Sequence, residues 1–97
     1  MITLALALVV QLSGSTQDTS ITRIESLLAA GDVRQALRLA TKVVQRRPQD
    51  ASAHLLLGRV HYARPVIGRF PALQEFRTAA RLAPADPEPL YWQMKGG

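Results

Sequence analysis

The sequence predicts an all-α fold of antiparallel helical hairpins stacked as a short solenoid, and three features carry that expectation. First, the chain repeats itself. A shift of 36 residues lays Val33, Ala36, Leu37, Ala40, Val43 and Pro48 on Arg69, Ala72, Leu73, Phe76, Ala79 and Pro84, and five of the six pairs keep their character. Second, apolar residues recur at helical spacing between proline and glycine breaks. Third, 47% of the chain is apolar but only 5% aromatic, so the interior must be built from Leu, Ala, Val and Ile, as stacked small helices allow. At 97 residues the core is thin, since a chain of this size buries only about 60–65% of its unfolded surface.

Taken in order, the chain opens with an uncharged apolar run from Met1 to Leu12, followed by Ser13-Gly14-Ser15-Thr16. The run has the length of a signal-peptide core and is too short to span a membrane. Ser13 and Ser15 supply small residues ahead of a cut near Thr16, although no Lys or Arg precedes the run. The expectation is an export signal over 1–15 and a polar linker over 16–19, which would place the mature protein in a bacterial-type periplasm or cell envelope. The alternative is a hydrophobic helix packed on the first repeat of a cytoplasmic protein.

The repeat domain is expected over 20–95, with units of about 20–50 and 51–86 and a partial third over 87–95. Ile21, Ile24, Leu27 and Leu28 recur at helical spacing until Gly31-Asp32 breaks the helix. A second helix from Asp32 carries Val33, Ala36, Leu37, Ala40, Val43 and Val44 on one side. It ends in Arg46-Arg47, which suit the negative end of the helix dipole, before Pro48. Asp50 caps a third helix from Ala51 to about Ala63, whose Leu55-Leu56-Leu57 run is apolar on more than one side and marks the buried centre. Pro71 belongs in the first turn of a fourth helix, where its missing N–H costs nothing. Asp86 and Pro87 open a fifth helix that runs to Lys95.

A shift of 34 residues lays Ile24 on Gly58 and Leu27 on His61, so the two shifts leave two extra residues for the turn within Tyr62–Arg69. A period near 34 with two helices per unit resembles the tetratricopeptide repeat. His54, Leu57-Gly58 and His61 match the first half of that pattern, with histidines where Trp and Tyr are usual. Ala72, Phe76, Ala79 and Pro84 match the second half, and Gly31, Ala36, Ala40 and Pro48 fit the preceding unit, where Ile24 stands in place of the small glycine.

The resemblance implies a non-catalytic interaction module whose successive first helices line a groove for an extended peptide or partner helix. The groove positions are Ile21, Glu25 and Leu28 in the first unit, Ser52, Leu55, Arg59 and Tyr62 in the second, and Tyr91 and Lys95 in the third. An apolar row of Ile21, Leu55 and Tyr91 then runs beside a charged row of Glu25, Arg59 and Lys95. Arg59 and Lys95 are expected to hold an acidic group or a terminal carboxylate of the partner. The subclass that grips chaperone tails with Lys and Asn is not expected, because the chain has no asparagine and Ile21 and Glu25 stand at the clamp positions.

Other chemistries find little support. With no cysteine there is no disulfide, thiolate metal site or thiol nucleophile. No nucleophile elbow, zinc-protease motif or phosphate loop is present, so neither a catalytic residue nor a cofactor is expected. His54 and His61 lie two turns apart on one helix, about 10.5 Å, too far to share a metal, and both are expected to pack. Glu25 and Glu75 are read as solvated surface. Ten arginines and two lysines against seven acids give a net charge of +5. The basic residues are spread over every helix without an interleaved aromatic set, so the excess suits an acidic protein partner rather than nucleic acid. The last helix, with Leu90, Tyr91, Trp92 and Met94, has no following helix to cover it. Such an end calls for further repeats, for another chain, a second copy included, or for a self-folded cap.

Overall fold

The computed structural model describes residues 20–96; the expected export signal over 1–15 and the linker over 16–19 lie outside the described residues. Five helices follow one another there: α1 (20–29), α2 (Val33–Arg46), α3 (Ala51–Tyr62), α4 (Arg69–Leu82) and α5 (Glu88–Gly96). α2 packs on α3, α3 on α4 and α4 on α5, and α3 also reaches α5.

Short polar signals set the helix ends. α1 stops because Gly31 takes a left-handed φ of 83°, so that its N–H donates to the Leu28 carbonyl at 3.1 Å and the Asp32 N–H to Leu27 at 2.8 Å. That pair of bonds satisfies carbonyls the helix would otherwise leave open. The Asp32 side chain then accepts from the Gln35 N–H at 3.2 Å and opens α2, so a single residue closes one helix and caps the next. Asp50 and Asp86 repeat the device, accepting from the Ser52 N–H at 2.9 Å and the Glu88 N–H at 3.0 Å. Asp50 and Asp86 are legible in the sequence as caps and Asp32 as the start of α2, and Pro71 falls in the first turn of α4 as expected.

The core runs through α3. Ile24, Ala36, Ala40, Leu56, Leu57 and Val60 form one buried cluster, with Ile21, Leu27, Leu28, Leu37 and Val43 half-buried around it. On the far side of α3, Ala72, Phe76 and Ala79 of α4 are buried against it. The two hairpins solve the same packing problem in opposite ways. In the second, Gly58 lets the Phe76 ring lie so close that a Cβ at Gly58 would stand 2.5 Å from the ring. In the first, the equivalent positions hold Ile24 and Ala40, both buried. The large side chain has moved from the second helix to the first, so the missing glycine at Ile24 does not hold the helices apart.

The last helix is better covered than the sequence suggests. Trp92 stacks on Phe76 at 5.8 Å and meets Tyr62 edge-on at 5.4 Å, and Pro89 is fully buried. Of the large apolar residues of α5, Leu90, Tyr91 and Met94 remain exposed. The expectation that Trp92 lies on an uncovered face is therefore corrected: its ring fills the angle between α3, α4 and α5.

Candidate protein-binding face

The face shared by α1, α3 and α5 is held together by its own polar and aromatic contacts. Arg59 on α3 donates to the Glu25 carboxylate on α1 at 3.3 Å. The same guanidinium lies 5.8 Å from the centre of the Trp92 ring, and the Lys95 ammonium lies 5.4 Å from that ring and 5.9 Å from Tyr91. Cations over aromatic rings at this range are attracted by the ring quadrupole. One continuous row thus runs Glu25, Arg59, Trp92, Lys95, and the predicted charged row is physically contiguous.

The row is less basic than expected, because Glu25 already takes up part of the Arg59 charge. With side chains 31% and 49% exposed, the Arg59–Glu25 pair is worth no more than about 1 kcal/mol, so an incoming anion can displace or share it. Lys95 makes no ion pair among the described residues. The apolar row is thinner than expected. Ile21 and Leu28 are half-buried against the core, Leu55 is half-buried, Ser52 is exposed with its N–H spent on the Asp50 cap, and Tyr91 is exposed. Tyr62 touches Trp92, whereas Ile21, Leu28, Ser52 and Leu55 stand outside the aromatic cluster. Sequence reasoning missed Trp92 as the centre of this face. The signal was available, since the 36-residue shift lays it on the buried Leu56.

Behind this face, His54 packs as expected, and it does so through polar contacts. The buried His54 ring joins the Pro48 carbonyl through Nε2 at 2.7 Å and Glu75 of α4 through Nδ1 at 2.7 Å. The carbonyl can only accept, so Nε2 donates. Glu75 is therefore not solvated surface; it ties α4 to α3, and through His54 to the turn between the hairpins.

Two turns on, His61 carries a buried Nδ1 with no hydrogen-bond partner. Burial pushes its imidazole below the ordinary value of 6.5, with Glu75 pulling the other way and Arg64 adding to the depression. The unfolded chain then takes up this proton at higher pH than the folded one. The stability that His61 contributes is present above about 6.5 and is lost as the pH falls toward its folded value. The urea midpoint is expected to decline from about pH 7 to about pH 5, and His61→Phe to flatten that decline. An equal decline in the variant would clear His61 of responsibility.

Residues 27–64 match the family model for the tetratricopeptide repeat. Over that segment the chain is similar to a tetratricopeptide repeat. The matched segment takes in the end of α1, all of α2 and all of α3, and so spans the junction between the two hairpins. No curated protein matches the chain. Tetratricopeptide repeats generally mediate contacts between proteins and are typically non-enzymatic. The partner class this points to is protein, and no helix among the described residues is long and apolar enough to cross a membrane.

Proposed function

We propose that the chain is a docking module, an adaptor or assembly scaffold, that lays a partner peptide or helix along the face shared by α1, α3 and α5. The observation that carries this reading is Arg59, placed between Glu25 and the Trp92 ring so that one side chain reaches from the first repeat to the third. A carboxylate of the partner is received by Arg59 and Lys95, the guanidinium offering paired donors. Ile21, Leu55 and Tyr91 supply apolar contact alongside.

Arg59→Glu tests the assignment. It is expected to weaken an acidic partner about tenfold or more, the scale of one charge-assisted contact. Because the Arg59–Glu25 pair is half-exposed and the contact of Arg59 with the Trp92 ring adds a similar increment, the unfolding free energy should shift by only about 1–2 kcal/mol. Titration calorimetry beside urea denaturation separates the two effects, and an unchanged affinity sinks the assignment. The exposure of Leu90, Tyr91 and Met94 favours a second reading, self-association through α5, for which the sedimentation mass would rise with concentration.

A further inference from the structure

The turn between α3 and α4 breaks several local rules at once. It is the turn lengthened relative to the repeat period, and Val66 within it holds a φ of 64°, an arrangement that a β-branched residue strongly disfavours. Val66, Ile67 and Phe70 are 81%, 68% and 67% exposed, three large apolar side chains set close together facing water. α4 then starts at Gly68 with no side-chain cap, and its first residue is Arg69. A cation there meets the positive end of the helix dipole, so Arg69 is not placed for helix stability. Local conflicts of this kind concentrate where function competes with folding.

A pocket opens beside the turn. Its volume is about 270 Å³, and its walls include Tyr62, Phe70, Leu73, Phe76 and Trp92, with Arg69 the charged residue among them. That is smaller than the roughly 300–1,000 Å³ of small-molecule sites and suits one buried side chain. No acid lines it; Glu75 and Glu88 nearby are engaged with His54 and with the Trp92 indole N–H. Arg69 has no ion pair among the described residues. Arg59 and Lys95, both against the Trp92 ring, add to the positive field.

We infer that this pocket takes a single large apolar side chain, of phenylalanine or leucine size, from a partner peptide in which a neighbouring acidic residue pairs with Arg69. Val66, Ile67 and Phe70 form the apolar lip against which the flanking peptide lies. The inference rests on the docking reading above, because the pocket shares Tyr62 and Trp92 with that face, but its deciding residues are different ones.

The test is selection of short random displayed peptides on the full chain, with the sole tryptophan, Trp92, as a fluorescent reporter of occupancy. Enrichment of Phe or Leu beside Asp or Glu is expected, with a change in Trp92 emission on binding. Arg69→Glu and Phe70→Ala should each weaken the selected peptides about tenfold. Both residues are exposed, so both variants should keep their helical circular dichroism. Loss with Arg59→Glu but not with Arg69→Glu overturns the pocket and leaves the docking face standing. Loss with Arg69→Glu alone supports the pocket while removing the docking assignment of Arg59. Failure to enrich such peptides overturns the inference, as does a dimer that Phe70→Ala dissolves, which would give the patch to a second copy.

Discussion

Gly58→Ile is expected to cost the protein at least about 3 kcal/mol, and adding Phe76→Ala is expected to return much of that loss. A Cβ at Gly58 would sit 2.5 and 2.6 Å from two carbons of the Phe76 ring. The ring cannot retreat, because it is buried and has Trp92 stacked on it at 5.8 Å. Phe76→Ala alone should cost about 3–5 kcal/mol, since it empties the same site and withdraws the support under Trp92. Combined, the two changes rebuild in the second hairpin the arrangement already present in the first, where Ile24 and Ala40 share one core. Urea denaturation of both single variants and the double one closes a thermodynamic cycle. A coupling of about 2 kcal/mol in favour of the pair is expected. Additive losses would show that the first hairpin reaches its packing in some other way.

The same exchange marks the boundary of what the sequence reveals. Helix ends are legible because each depends on one residue acting locally: Gly31 through its free φ, Asp32, Asp50 and Asp86 through a single side-chain acceptor. Hairpin topology is legible because the period repeats. Packing is a property of pairs, however, and Ile24 looks like a departure only while it is compared with Gly58 instead of being weighed against Ala40. The functional face divides in the same manner. Glu25, Arg59 and Lys95 fall into one row by repeat register alone, whereas the partial neutralisation of Arg59 by Glu25 depends on where long side chains end. Glu75 eluded the sequence for a related reason: its partner His54 lies 21 residues away on another helix, and no local pattern joins them. Trp92 is placed by the Tyr62 and Phe76 rings it meets, a contact visible only through the repeat register and not in the apolar pattern of its own helix.

Gly68→Ala is expected to be the other costly single change, for a reason opposite to the usual one for glycine. The backbone at Gly68 is ordinary, with φ −89° and ψ −8°, so no conformational freedom is being used. The constraint is space. A Cβ there would lie 1.7 Å from the His61 carbonyl oxygen and 2.8 Å from that of Arg64. Neither carbonyl can yield cheaply, because the Arg64 N–H donates to His61 at 2.9 Å and the Gly68 N–H to Arg64 at 3.1 Å, and these bonds end α3. The turn must lift away from α3 and carry Arg69 and Phe70 with it, at a cost of about 3 kcal/mol. Gly31→Ala is the control, since nothing stands within 4 Å of its Cβ and only its φ of 83° is strained. That change should cost about 1–2 kcal/mol. If Gly31→Ala proves the more damaging in urea, the close approach of the turn to α3 is wrong. If Gly68→Ala does, its loss of stability should come with loss of the peptides selected by the pocket, because Arg69 and Phe70 are set in place by the same contact.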